Sequence, residues 1–227
     1  MKSTLLKCLL LLAIISGCVE KSTIEPLPNH AGYFPINRQQ TFRIKTITID
    51  APLNLFDTIE YTYTISVDTV IQNNGETTGF YTIEYHNVNR PSERLVREII
   101  FPVGAFTETY DNCKIIKCPL PIPQLQTWDS RIFCSENQKN QRSRVLKAHF
   151  PIQFENKTID SALLISHKYD SSLIHLKSHS ELYGIPYGLL YSEKIDILSN
   201  SPNLDFTIPI RERIEIGTIT TIEQIFE

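Results

Sequence analysis

From Ile59 to Asp68 the chain alternates without a break: Ile59, Tyr61, Tyr63, Ile65 and Val67 on one parity, Glu60, Thr62, Thr64, Ser66 and Asp68 on the other. A period of two gives each set its own face of an extended strand. Asn73-Asn74-Gly75 follows, residues that tolerate positive φ, and Tyr81, Ile83 and Tyr85 then alternate with Thr82, Glu84 and His86. The pattern predicts a long β-hairpin.

Other segments carry the same period more briefly. Thr41 to Asp50 starts with Phe42 and Ile44 on one face and changes parity to Ile47 and Ile49, which predicts a β-bulge near Lys45 or Thr46. Glu93 to Val103 reads as a strand, Ile115-Ile116 as a short one, and Ile208, Ile210, Ile214 and Ile216 share a parity near the C-terminus. No stretch of a dozen residues shows a clean period of 3.6, and Ser161 to Ser166 reads as either a short helix or a strand. The expected fold is mainly β with little helix: an antiparallel curved sheet, half-barrel or small barrel.

Composition supports a packed body. Of 227 residues, 41% are apolar and 21% charged, which excludes disorder, collagen and a polytopic helical membrane protein. With 22 Lys and Arg against 25 Asp and Glu there is no basic excess to collect phosphates, so no nucleic-acid partner is expected.

The first 17 residues are an address. Lys2 and Lys7 precede an apolar run from Cys8 to Ile15, and Ser16 and Gly17 are small, the layout of a secretory signal peptide too short to span a bilayer. Ile15-Ser16-Gly17-Cys18 resembles the lipobox of bacterial lipoproteins. That resemblance implies cleavage between Gly17 and Cys18 and lipidation of Cys18 with diacylglycerol and an amide-linked acyl chain such as palmitate. Two or more chains hold a protein stably on a membrane. Glu20 stands near the cysteine with no Asp directly after it, so the resemblance favours the outer membrane, in either leaflet. Losing 17 residues leaves 210, and losing two lysines moves the charge from -3 to -5. Residues 18–31, with Pro26, Pro28 and Asn29, read as the lipidated cysteine and a flexible tether, and 32–227 as one β-rich domain.

Two further segments are similar to poorly characterised envelope lipoproteins of Bacteroidota. Tyr33-Phe34-Pro35-Ile36, with Phe42 beyond it, resembles the start of their mature part, although Gln39 stands where that pattern has Gly. Tyr183-Gly184-Ile185-Pro186-Tyr187-Gly188-Leu189-Leu190-Tyr191-Ser192-Glu193 resembles a strand near their end, its glycines allowing a sharp bend. The resemblance implies a cell-envelope location and β architecture, and no defined activity. Tyr33-Phe34-Pro35-Ile36 also has a faint internal echo in His149-Phe150-Pro151-Ile152.

Candidate chemistry is sparse. With Cys8 removed and Cys18 lipidated, Cys113, Cys118 and Cys134 remain, an odd number. In an oxidising envelope, Cys113 with Cys118 is the favoured disulfide because it closes the shortest loop. His175 and His179, with Glu181 two residues on, would offer metal-ligand spacing on a helix, but as a strand the segment sets the two histidines about 13 Å apart; solvated surface histidines are the favoured reading, and no metal or other cofactor is expected. Tyr61, Tyr63, Tyr81 and Tyr85 fall on one face of the hairpin, either as sheet core or as an aromatic groove for a lipid, glycan or peptide. No G-x-S-x-G, H-E-x-x-H, phosphate loop or dinucleotide fingerprint occurs. The expectation is a non-enzymatic lipid-anchored protein whose β domain binds an envelope ligand or partner. The alternatives are a glycan- or lipid-acting hydrolase with carboxylates gathered by the fold, and an accessory subunit of an outer-membrane assembly.

Overall fold

The computed structural model describes residues 30–226, apart from 102, 111, 124–125, 135–140 and 200–204; Gly17, Cys18 and most of the expected tether lie outside the described residues. Six strands form one meander: β1 (Gln40–Asp50), β2 (Leu55–Asn73), β3 (Glu76–His86), β4 (Glu93–Ile100), β5 (Gly104–Tyr110) and β6 (Cys113–Leu120). A second meander holds β7 (Thr127–Asp129), β8 (Arg142–Phe154), β9 (Lys157–Ser171), β10 (His175–Gly184), β11 (Gly188–Leu198) and β12 (Ile216–Ile225). All twelve pair antiparallel in the order β6-β5-β4-β3-β2-β1-β12-β11-β10-β9-β8-β7. The first and last strands therefore meet at the centre, Thr41 opposite Ile225 through to Asp50 opposite Ile216. Among the described residues there are 3-10 turns at His30–Tyr33 and Ile210–Glu212 and no α-helix.

The β2–β3 hairpin forms as its alternation predicts, with Tyr63 opposite Tyr85 and Ile65 opposite Ile83. Its turn uses positive φ at Asn74 (41°) and Gly75 (87°), the mirror-image turn whose twist matches the flanking strands. Ser161 to Ser166 is strand, within β9, with Leu163 and Ile165 fully buried.

Two strand expectations need correction. Across β1 the register to both neighbours is unbroken, so there is no bulge near Lys45 or Thr46. The parity change has another cause, a change in which face of the sheet is covered. Phe42 and Ile44 point into the main core, whereas Ile47 lies opposite Ile219, which packs on a second cluster of Leu176, Ile195 and Ile197. Ile210 and Ile214, expected to lie on a strand, instead come from the segment before β12 and cover that second cluster.

The sheet curls until its two edges nearly meet. Ile116 of β6 donates its backbone N–H to Ser130 (2.8 Å), the Trp128 indole donates to the Ile116 carbonyl (3.0 Å), and Lys114 bridges Phe133. On the convex face Arg43 lies 3.6 Å from Glu60 and 3.9 Å from Glu223. One end of the barrel is filled by the segment ahead of β1. The Tyr33 hydroxyl lies 2.6 Å from Ser161 Oγ and 3.0 Å from His149 Nδ1, Phe34 stacks on Phe106 at 4.3 Å, and the Ile36 carbonyl accepts from Tyr81. Gly188 borders this plug at φ 85°, and a Cβ there would come within 2.8 Å of the Gln40 amide, so the close approach requires glycine.

The expected Cys113–Cys118 disulfide is not the one formed. Cys113 pairs with Cys134, 21 residues along, and Cys118 is a buried free thiol whose pKa burial pushes up. The shortest loop loses because Cys113 and Cys118 both lie on the extended β6, about 17 Å apart by strand rise and beyond disulfide reach, whereas Cys134 belongs to the segment that Lys114 and Ile116 bind across the gap. Peptide mapping without reduction should find Cys113 linked to Cys134 and Cys118 alkylated only after unfolding. By loop entropy, replacing Cys113 and Cys134 with Ser should cost about 3 kcal/mol in denaturant titrations.

Candidate functional site

The concave face encloses a cavity of about 290 Å³. Its walls are aliphatic, from Ile44, Ile65, Ile83, Leu95, Leu189 and Ile222, and Tyr63 adds a ring. Tyr85, Tyr110 and Arg90 stand at its more exposed mouth, with the Arg90 guanidinium 4.2 Å from the centre of the Tyr85 ring. The floor is ionic: Arg97, Glu108, Lys117, Glu181 and Tyr183.

Each floor residue sits on a strand at the parity that faces inward. Arg97 lies between the buried Leu95 and Ile99 on β4, and Glu181 two residues before the buried Tyr183 on β10. The backbone pattern that buries aliphatic neighbours therefore buries these charges too: Arg97 is 5%, Lys117 8% and Glu181 4% exposed. At such depth a lone charge would cost several kcal/mol, so pairing decides whether the arrangement can exist.

The pairing forms one continuous chain. The Gln40 amide donates to the Tyr187 carbonyl (2.8 Å) and accepts from Arg97 Nη1 (2.9 Å), and Arg97 Nε donates to Glu108 Oε1 (2.9 Å). Lys117 binds Glu181 Oε1 and lies 3.6 Å from Glu108 Oε2, joining the two carboxylates. Glu181 Oε2 accepts from the Tyr183 hydroxyl (2.5 Å) and meets His167 Nε2 (2.7 Å), whose Nδ1 lies 2.9 Å from Ser143 Oγ.

Burial opposes the Arg97 and Lys117 charges, but the facing glutamates outweigh it and hold both pKa values above their ordinary range. Burial likewise opposes ionisation of Glu181, and Lys117 beside it wins, keeping the carboxyl well below the usual range. Burial keeps His167 neutral by lowering its pKa. The neutral ring then donates from Nε2 to Glu181 and accepts the Ser143 hydroxyl proton at Nδ1.

The order Ser143, His167, Glu181 invites comparison with a hydrolytic triad. In a triad the serine meets the Nε2 of the histidine and the acid meets Nδ1. Here the ring is reversed, Ser143 has no exposed surface, and it does not line the cavity. Glu108 and Glu181 also resemble the acid pair of a glycosidase, but both carboxylates are taken up by cations, Glu108 by Arg97 and Lys117 and Glu181 by Lys117, whereas the proton donor of such a pair needs surroundings that favour its neutral form. The arrangement is suited to holding polar groups at a dry floor.

Of the four tyrosines on the hairpin, Tyr63 and Tyr85 line the cavity. Tyr61 stands beside Tyr85 with ring centres 6.0 Å apart. Tyr81 lies below the floor, 1% exposed, under the Arg97 guanidinium at 5.2 Å, and burial pushes its pKa up to about 12. Tyr110 was not singled out by sequence, nor were Arg97, Glu108, Lys117 and His167, and Tyr183 entered only as part of the segment resembling envelope lipoproteins. Their signal was a charged or polar residue at the parity of buried neighbours, as in Leu95-Arg97-Ile99. His175 turns away to Asp170 (3.1 Å), while the His179 ring lies tilted beside that of His167, centres 5.0 Å apart. Among the described residues no group of three or more His, Cys, Asp or Glu side chains is placed to hold a metal ion.

Breaking the central pair should be costly. Lys117→Met, which leaves Glu181 charged and buried, is expected to lower stability by about 3–5 kcal/mol, and Lys117→Met with Glu181→Leu to recover much of that loss in urea titrations. Acid should weaken the fold in two steps of one sign. Unfolded His167 takes a proton near its ordinary 6.5 that the folded ring refuses, so stability falls as pH drops below that value; Glu181 adds a second fall below about its ordinary 4.5. His167→Gln should flatten the first step, leaving the share of His30, whose pKa burial also lowers.

No protein-family model and no curated protein matches the chain. Among solved structures it is similar to a protein described as a putative lipoprotein from Parabacteroides distasonis ATCC 8503, at 13% identity and a TM-score of 0.40, covering 85% of this chain and 98% of that one.

Proposed function

We propose that the chain is a non-enzymatic, lipid-anchored protein of the bacterial cell envelope that binds a small amphiphile inside its curled sheet. The observation that carries this reading is the cavity of about 290 Å³, aliphatic along its walls and hydrogen-bonding at its floor. Its size is near the lower end of small-molecule pockets, roughly 300–1,000 Å³. On the floor two cations and two carboxylates cancel, so it offers hydrogen bonds without net charge. An occupant with an uncharged polar end and a short apolar body is favoured over a carboxylate, which would add an unpaired charge to a neutral floor.

The anchor rests on Ile15-Ser16-Gly17-Cys18. Lipidation at Cys18 would hold the body at the outer membrane and place the cavity within reach of envelope lipids and glycans. Palmitate labelling in cells should mark the wild type and not Cys18→Ala.

The cavity is tested with monooctanoylglycerol. It should raise the melting temperature and quench tyrosine fluorescence, octanoate should bind more weakly, and Ile83→Trp, which fills the cavity, should abolish both responses. Equal responses from wild type and Ile83→Trp would sink the proposal.

A further inference from the structure

A second cleft of about 290 Å³ opens at the plugged end of the barrel, bordered by residues 38–41, Lys157 and residues 224–226. It differs in character from the tyrosine-lined cavity. Two cations line it, Arg38 and Lys157, and no carboxylate does among the described residues. Aromatic rings set where these cations stand: the Arg38 guanidinium is 5.1 Å from the centre of the Tyr187 ring, and Lys157 Nζ is 4.2 Å from that of Phe226 and 5.1 Å from that of Tyr187. Contacts of this kind position a cation through its charge and leave N–H donors for a ligand.

The second observation is independent of charge. Gln224 is 3% exposed and lines the cleft, yet its Oε1 is buried with no hydrogen-bond partner among the described residues. Buried amide oxygens are almost always satisfied, so an orphan beside an open cleft points to a donor that arrives from outside. Gln40, next to it, does not bond it; its amide bonds the Tyr187 carbonyl and Arg97 instead. Ile225 and Phe226 supply an apolar side.

We propose that this cleft is a second binding site, for a sugar acid or an acidic residue of a glycan. The carboxylate would lie between Arg38 and Lys157, a ring hydroxyl would donate to Gln224 Oε1, and the C–H face of the ring would rest on Ile225 and Phe226. Two cations with no acid beside them among the described residues favour an anion, the orphan acceptor favours a hydroxyl, and one pyranose ring bearing a carboxylate supplies both.

The full-length protein in detergent should be titrated with D-glucuronate, glucose, inorganic phosphate and glycerophosphoglycerol by calorimetry or saturation-transfer NMR. Glucuronate should bind, and glucose should bind at least about tenfold more weakly. Arg38→Gln and Lys157→Gln should each weaken glucuronate about tenfold. Gln224→Met removes the orphan oxygen while keeping the side-chain volume, so it should leave the melting temperature intact, weaken glucuronate and leave phosphate unchanged. Ile83→Trp should bind glucuronate normally, which separates this site from the amphiphile cavity. No binding to wild type, or glucuronate binding unchanged in Arg38→Gln, Lys157→Gln and Gln224→Met, would overturn the proposal. Tighter binding of glycerophosphoglycerol than of glucuronate, lost in Arg38→Gln, would overturn the sugar-acid reading in favour of an anionic lipid headgroup.

Discussion

Lys117 of β6 lies between Glu108 of the adjacent strand and Glu181 of β10, on the far side of the barrel. The two meanders share a ladder only where β1 meets β12, and at the far seam the Cys113–Cys134 disulfide and the Ile116–Ser130 hydrogen bond hold their outer strands together. The Lys117–Glu181 pair is one of the few links that cross the interior, and it does so in a region too dry to leave either partner alone. Two buried charges of opposite sign thus act as a clasp only as a pair: each offsets the desolvation of the other, and removing one leaves the other buried without compensation. A clasp of leucines would close the sheet as firmly, but it would leave no polar floor for the cavity.

Around that clasp, polar and apolar groups are sorted by depth. Aliphatic side chains from β1, β2, β3, β4, β11 and β12 make the walls, and each fully buried leucine or isoleucine adds roughly 1.5–3 kcal/mol. That is comparable with the cost of breaking the ion pair, so neither the core nor the charges alone specify the curl. Gln40 ties the two ends of the arrangement together: one side of its amide steadies Arg97 at the cavity floor, and the other borders the cleft beside Gln224. The two candidate sites are separate volumes linked through that amide, which lines the cleft and touches the cavity floor only by way of Arg97.

Much of the fold was legible because strands with one covered face write their period into the sequence. The run from Ile59 to Val67 and its return through Tyr81, Ile83 and Tyr85 specified a hairpin, and the antiparallel β class followed from it. What the period could not show was which face is covered at a given place. Ile47 and Ile49 looked like a slip of one residue, when the covering layer had moved to the other side of the sheet through Ile210 and Ile214. The Cys113–Cys134 link was invisible for a related reason, since it depends on how edges 21 residues apart in sequence meet after curling. The ionic floor was half visible: Arg97 and Glu181 sit at inward parity, but their partners lie on other strands, and no local pattern connects Lys117 to a glutamate 64 residues away.

The plug at His30–Ile36 has a mechanical consequence. The chain enters the body through Tyr33 and Phe34, which are locked to Ser161, His149, Phe106 and Tyr183 before the first strand begins. Any pull on the chain ahead of residue 30 therefore loads those contacts first, perpendicular bonds and ring stacks rather than the long β1–β2 and β1–β12 ladders. Because Phe34 also packs edge-on against Tyr183, whose hydroxyl bonds Glu181, tension at this end is transmitted to the cavity floor within two side chains.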